Sequence, residues 1–459
     1  MRFPSFLLLL ATLFTASACP SASDPEVPSS EGADASVYTT NTATLRFHES
    51  TLKAGAPDNG DFSVALTGET FQTVDGFGFA VTQSSCFNLL RMPEADRNQF
   101  LTEIFSREKG LGSSLIRICI GGSDFSLDEF TWCDKQGLEN FAVHPLDVQY
   151  LFPILDEIYA INPDVKIIAS PWSCPKWMKM DDNGKTPFDS WTSGRLNPVC
   201  YQEYANYFVL WIKEMEKRGY PIYAVTLQNE PLNRGNSMSL YMSWEEQRDF
   251  IRDAVGPAFA EAGLKTKILL FDHNYNFDNI ASQVDYPLHI MEDPATARYV
   301  AGSAWHNYGG SVSELDRIRA AAPDKEIYFT EASIGTWNYD FGKRVLSDFR
   351  SIFMETLARG CQGVTLWNMA LDENRRPFRP GGCSTCFGVV TISSSEDAEV
   401  LHRSSQYYDL AHCSKVIRPG ARMLPCSGPD LPGLKYQAFL LLGRILPTRT
   451  CNYILSKMY

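Results

Sequence analysis

Three stretches of the chain end an apolar run in residues that could do chemistry. Val225-Thr226-Leu227-Gln228-Asn229-Glu230-Pro231 delivers an amide and a carboxylate, and the proline then stops the run. Ile327-Tyr328-Phe329-Thr330-Glu331 delivers a second carboxylate, and Val364-Thr365-Leu366-Trp367-Asn368 an indole and an amide. Two carboxylates facing one another suit cleavage of a glycosidic bond. One, kept protonated, gives its proton to the leaving oxygen. The other, ionised, attacks the anomeric carbon, and a retaining enzyme holds the two roughly 5–5.5 Å apart. Asn229, next to Glu230, is of the type that hydrogen-bonds a sugar 2-hydroxyl, a contact that strengthens in the transition state. A lone Glu at a strand end is more often a helix-cap neighbour or a salt-bridge partner, because short motifs misfire. The Asn-Glu-Pro context and the second Glu together favour the catalytic reading.

Such residues need a scaffold that brings several strand ends together. From residue 70 onward, eight short apolar runs alternate with longer amphipathic stretches: Val74–Ala80, Ser114–Ile120, Val165–Ser170, Ile222–Gln228, Lys267–Phe271, Tyr299–Trp305, Glu326–Thr330 and Gly363–Trp367. Near-continuous Ile, Val and Leu mark buried parallel strands. Residues 144–160, 199–218 and 243–262 carry apolar stripes at helical spacing. Pro93-Glu94 opens a helix, and Ser243 to Glu246 has capping-box spacing. This pattern predicts an α/β fold, a (β/α)8 barrel over residues 73–415 with long loops, whose catalytic groups sit at the C-terminal strand ends. A doubly wound sheet is the rival, but no G-x-G-x-x-G follows Gly76-Phe77-Gly78. Residues 38–72, with the alternating segments Thr42–His48 and Asp61–Leu66, are expected to supply strands of a small β side domain.

The chain has 459 residues, a net charge of -13 and nine Trp. That acidity opposes binding of nucleic acid phosphates and leaves no polybasic membrane patch. The many Trp fit either a large core or sugar stacking. Residues 1–19 resemble an export signal: Arg2, an apolar run from Phe6 to Phe14, then small residues. Ala16-Ser17-Ala18-Cys19 is similar to a lipobox, which would lipidate Cys19 and attach a secreted or outer-surface protein to a membrane. Residues 20–37 read as a flexible linker. The single C-x-x-C, Cys383 and Cys386, lacks a second pair for zinc and fits a loop disulfide or two packed thiols. The tail from 416 is basic and weakly alternating, with the longest apolar run at Ala438–Leu442. It is expected to be an aberrant or truncated end of the side domain.

These motifs resemble glycoside hydrolase family 30, which includes glucosylceramidases and β-1,6-glucanases. The resemblance runs from about Phe71 to Gly420 through Asp75-Gly76-Phe77-Gly78, Ile116-Arg117-Ile118, Ser123-Asp124-Phe125, Ser170–Lys179, Gln228–Pro231, His306-Asn307-Tyr308, Thr330-Glu331 and Leu366-Trp367-Asn368. It implies Glu230 as acid/base and Glu331 as nucleophile. It further implies Asp124, Trp172, Asn229, Tyr308 and Trp367 around the bound sugar, with Arg117, His306 and Asn368 in support. Each supporting residue also has a plain reading: Arg117 as partner of a buried acid, His306 as a structural histidine, and Trp172, Trp177 and Trp367 as core. Phe79 and Gln83 depart from the family pattern and are expected to alter the pocket floor. The family's chemistry needs no metal or cofactor. The implied substrate is a β-glucan or glycolipid: β-1,6-glucan first, glucosylceramide second, xylan third. A catalytically inactive sugar-binding lipoprotein and a structural surface protein are the readings from other classes.

Overall fold

The eight apolar runs become the staves of a closed parallel barrel. The computed structural model describes residues 7–13, 35–53, 63–66, 70–275, 280–431, 433–442 and 449–457. The barrel strands are Gly76–Ala80, Leu115–Cys119, Lys166–Ser170, Ile222–Thr226, Lys267–Asn274, Val300–His306, Glu326–Glu331 and Cys361–Leu366, closed in chain order. Every neighbouring pair is parallel. Closure leaves no free edge, and strand tilt narrows the interior until side chains fill it. Leu115, Ile168, Ala224, Leu269, Ala304 and Tyr328 form the middle interior layer. Between strands and helices lies the larger core, including Phe77, Ile116, Ile167, Val225, Leu270, Phe329 and Val364.

The connecting helices follow the predicted stripes. Residues Asp147–Ile161 begin with a π-helical turn, Asp147–Leu151, and bury Leu151, Ile154, Leu155 and Ile158. Tyr201–Lys217 buries Tyr204, Phe208, Trp211, Ile212 and Met215 on one face. Ser243 and Glu246 make the reciprocal capping box at the start of Trp244–Phe250.

The N-terminal end of the barrel is closed by charge. Lys166 and Lys267 open their strands; Lys166 Nζ donates to Asp75 Oδ1 at 2.5 Å and Lys267 Nζ to Glu326 at 2.6 and 2.8 Å. The Tyr223 and Tyr328 hydroxyls both bond Asp75 Oδ2.

The side domain is an antiparallel sheet built from both chain ends. Its strand order is Arg422–Leu424, Leu434–Leu442, Arg449–Lys457, Leu7–Leu13, Ala35–Asn41, His48–Leu52. A second ladder pairs Ala65–Leu66 with Cys426–Ser427. Of Thr42–His48, read as a strand, only His48 is in one; residues 42–47 form a turn, because Asn41 Oδ1 accepts the backbone N–H groups of Ala43, Thr44 and Leu45 at 2.9, 2.7 and 3.0 Å. The weakly alternating tail does carry strands. Residues 35–37 belong to a strand rather than to the linker, whereas Cys19 and residues 20–34 lie outside the described residues. The backbone of Leu7–Leu13 pairs on both sides, with Ala35–Asn41 and Arg449–Lys457. A mature chain starting at Cys19 would lack that strand.

Candidate active site

The C-terminal ends of the barrel strands converge on Arg117. From the second strand, its fully buried guanidinium donates through Nη1 to Glu331 Oε2 at 2.6 Å. Nη2 donates to Asn229 Oδ1 and to Asp272 Oδ2, both at 2.7 Å. Burial opposes its charge, but Asp272 and Glu331 overcome that and hold it cationic. The guanidinium carbon lies 4.9 Å from the Trp172 ring centroid and 5.7 Å from that of Trp367, and these indoles stack at 5.2 Å. Arg117, Asn229, Glu331, Trp172 and Trp367 thus form one continuous surface.

Asp272 is the hub beneath this surface, and the sequence reading missed it. It accepts from Ser170, Thr226 and Thr330 hydroxyls at 2.7–2.8 Å and contacts His306 Nε2 at 3.1 Å, in addition to Arg117. Burial pushes its pKa up, but Arg117 and His306 hold it far below the usual carboxylate range. Strict alternation after Leu269 would turn Asp272 out of the barrel. A register shift between Phe271 and His273 prevents this, with Phe271 at φ 72° and Asp272 at φ 61°. The bulge puts Phe271 in the outer core and turns Asp272 inward. Non-glycine residues in the left-handed region are strained, by about 1–3 kcal/mol each. Glu230 (φ 44°) and Asn368 (φ 52°) share this conformation.

His306 links the hub to the first carboxylate. Its Nδ1 lies 3.3 Å from Glu230 Oε1 and 4.0 Å from Glu331 Oε1. Burial disfavours the imidazolium, but Glu331, Asp272 and Glu230 outweigh it and raise His306 to about 9. Burial likewise pushes Glu230 up, but the His306 hydrogen bond overcomes it and holds Glu230 at about 2. Asn233 and Asn236 donate to Glu230 Oε2 at 2.7 and 3.3 Å; neither was singled out from sequence. Glu331 moves the other way: burial, with Glu230 and Asp272 nearby, raises it against the pull of His306 and Arg117. Tyr308, half-exposed, donates to Glu331 Oε1 at 3.0 Å. The contact between His306 and Glu230 thus draws their shared proton toward the histidine.

An oxygen of Glu230, one of Glu331 and a nitrogen of His306 all lie within 4.8 Å of one another. A cation could be held by such a trio, but the proton on His306 and the guanidinium of Arg117 already supply the positive charge. Asp124 is buried, and its Oδ1 has no hydrogen-bond partner among the described residues. Burial and the two glutamates raise it well above the carboxylate range. A buried carboxyl pushed toward its neutral form in this position suits a hydroxyl-rich ligand. Its backbone is fixed by the Arg379 N–H, which donates to Asp124 O at 2.7 Å. At Gly382 an added Cβ would lie 2.8 Å from that same oxygen, so a larger residue would displace the loop.

Other readings resolve differently. Asn368 is outside the carboxylate network; its Oδ1 accepts from Thr82 Oγ1 at 2.6 Å. Trp177 packs against the outer core and donates to Cys133 O at 2.8 Å. Phe79 points into the outer core and not to the pocket floor. Gln83 accepts from Leu127 N at 2.8 Å, behind the Asp124 loop. Cys383 and Cys386 form a disulfide.

A closed (β/α)8 barrel with paired carboxylates at its C-terminal rim defines a class of sugar-cleaving enzymes, and comparison with known proteins agrees. Residues 74–417 match the glycosyl hydrolase family 30 TIM-barrel domain. The chain belongs to glycoside hydrolase family 30 and is a glycoside hydrolase. It is 32% identical over 374 residues to endo-1,6-beta-D-glucanase BGN16.3 of Trichoderma harzianum, covering 78% of this chain and 72% of the relative. It is 27% identical over 387 residues to the lysosomal acid glucosylceramidase of Mus musculus, covering 81% and 73%. Among solved structures, the endo-beta1,6-glucanase BT3312 superposes with a TM-score of 0.84 at 46% identity, covering 92% of this chain and 99% of that one.

Proposed function

We propose that the protein is a retaining β-glucanase that hydrolyses β-1,6-linked glucan by double displacement. The observation that carries the mechanism is the carboxylate spacing, with oxygens of Glu230 and Glu331 within 4.8 Å. That closeness fits the roughly 5–5.5 Å separation of carboxyls in retaining enzymes better than the roughly 6.5–9.5 Å of inverting ones. Likeness to the fungal endo-1,6-glucanase and to the solved endo-beta1,6-glucanase supports the linkage.

In this reading Glu331, oriented by Arg117 and Tyr308, attacks the anomeric carbon as the bond to the leaving oxygen breaks. Glu230 gives that oxygen a proton, which it draws from His306 across the 3.3 Å contact. Attack by Glu331 reduces the negative charge that sustains the imidazolium, so proton transfer and attack favour one another. The glycosyl-enzyme ester is then opened by water, whose proton Glu230 takes and passes back to His306, and a second inversion restores the β configuration. Asn229 and Asp124 hold hydroxyls of the reacting sugar, which rests against Trp172 and Trp367.

Glucosylceramide is the second reading, supported by the mouse relative. The N-terminal residues support export with lipidation at Cys19; mass spectrometry of the mature N-terminus tests this, and an acyl-free N-terminus would refute it. The substrate test is hydrolysis of β-1,6-glucan, glucosylceramide, xylan and an aryl β-glucoside by the purified protein. Preferential cleavage of β-1,6-glucan supports the proposal. Preference for glucosylceramide or xylan moves the assignment, and turnover of none of them by folded protein favours the sugar-binding reading.

A further inference from the structure

Lys179 ends the segment that carries Trp172 out of the third barrel strand, and it takes no part in the carboxylate network. It is completely buried, and its partners are carbonyls: Nζ donates to Ser190 O at 2.9 Å, Ser239 O at 3.0 Å and Trp191 O at 3.3 Å. An ammonium is expensive to bury, and three backbone acceptors are what make this one tolerable. The acceptors come from two loops, one after the third strand and one after the fourth. The loops are also bonded to each other, Ser239 N to Trp191 O at 2.9 Å and Ser193 N to Ser239 Oγ at 2.8 Å. Lys179 is thus the buried tie between two loops at the C-terminal rim.

What this tie holds in place is Trp191. Its half-buried side chain packs on the cluster formed by Trp172, Trp367, Phe125 and Met238. Trp172 and Trp367 are the indoles beside Arg117, so Trp191 extends the same aromatic surface toward solvent. The Lys176 ammonium lies 5.3 Å from its ring centroid and is itself paired with Asp189 at 2.6 Å. An indole fixed at both its backbone and one face is pre-organised for stacking on the C–H face of a pyranose, and pre-organisation lowers the entropic cost of binding.

We propose that Trp191 stacks on the glucose unit adjoining the one that is cleaved, and that Lys179 is the positioning residue that mounts it. This inference rests on the β-glucan reading above. The test uses the inactive Glu331→Gln protein and calorimetric titration with a β-1,6-linked glucose trimer and with a methyl β-glucoside. Trp191→Ala is expected to weaken trimer binding about tenfold and leave the monosaccharide unchanged. Lys179→Met should reproduce the trimer loss and add nothing to Trp191→Ala, because both act through one contact. Unchanged trimer affinity in Trp191→Ala overturns the stacking role, whatever happens to the fold of Lys179→Met. Additive losses in the double variant overturn the mount. If the Glu331→Gln parent binds no β-1,6 trimer, the linkage assignment fails instead, and the same variants decide the inference on whichever β-glucan oligomer it does bind.

Discussion

The barrel carries charge at both ends, and the two ends are built differently. At the N-terminal end Asp75, Lys166, Lys267 and Glu326 pair off as two cations with two anions, and their side chains keep 14–30% exposure. At the C-terminal end Arg117, Asp272 and His306 are at 0%, and Glu230 and Glu331 at 8%. There, Glu230, Glu331 and Asp272 face Arg117 and His306, with His273, which burial holds down at about 4, 3.9 Å from Glu230 and Asp124 pushed toward its neutral form by burial. The lower cluster is balanced, ringed by tyrosine hydroxyls and finished as it stands. The upper one is short of positive charge, and its Asp124 Oδ1 and Gln228 Oε1 find no hydrogen-bond partner among the described residues. Buried polar groups are normally satisfied, so an under-satisfied cluster marks a place where a ligand completes the set. One end closes the fold, and the other is held in readiness for chemistry.

Mutations should separate the two ends cleanly. The largest effect is expected from Glu331→Gln, which should lower kcat by about 10⁴-fold or more while leaving the circular dichroism spectrum native. Asp272→Asn touches no substrate, yet should cost about 10²–10³-fold in kcat, because it removes the charge that orients Arg117 and sustains the His306 proton. Retention of near-normal kcat there would reduce Asp272 to a structural role. The pH profile of kcat/KM reports the free enzyme's groups. Its alkaline limb should fall as pH rises through about 9, where His306 loses its proton. Its acid limb should lie above the ordinary glutamate value of 4.5, since Glu331 must be ionised and its site raises it. An alkaline limb unmoved by Asp272→Asn would break the link between hub and proton. The smallest catalytic effect belongs to Asp75→Asn, which should lower unfolding stability by about 1–3 kcal/mol and leave kcat unchanged. A loss of kcat with intact stability would overturn the division between the ends.

Sequence was most informative where periodicity and strand ends coincide. All eight apolar runs became barrel strands, and Glu230, Glu331, Arg117, Asn229, His306 and Tyr308 lie in one network. Asp272 was hidden because the run appeared to stop at Phe271, whereas the strand continues to Asn274 through a bulge that changes its parity. Simple alternation cannot express such a shift. Lys179 was quoted within a motif, but its partners are backbone carbonyls of distant loops, which leave no mark in composition or spacing. The strands of the tail were not legible for a third reason. The side domain's sheet is joined across opposite chain ends, through the pairing of Arg449–Lys457 with Leu7–Leu13, and such a distant partner leaves no local signal.

The most direct test of the central claim is azide rescue of Glu331→Ala and Glu230→Ala on an activated aryl β-glucoside. If Glu331 attacks, azide replacing it inverts the centre once and yields the α-glucosyl azide. In Glu230→Ala, azide intercepts the ester on Glu331 and yields the β-glucosyl azide. That pair of products is the predicted result; the opposite pairing, or rescue of neither variant while both remain folded, would contradict the account.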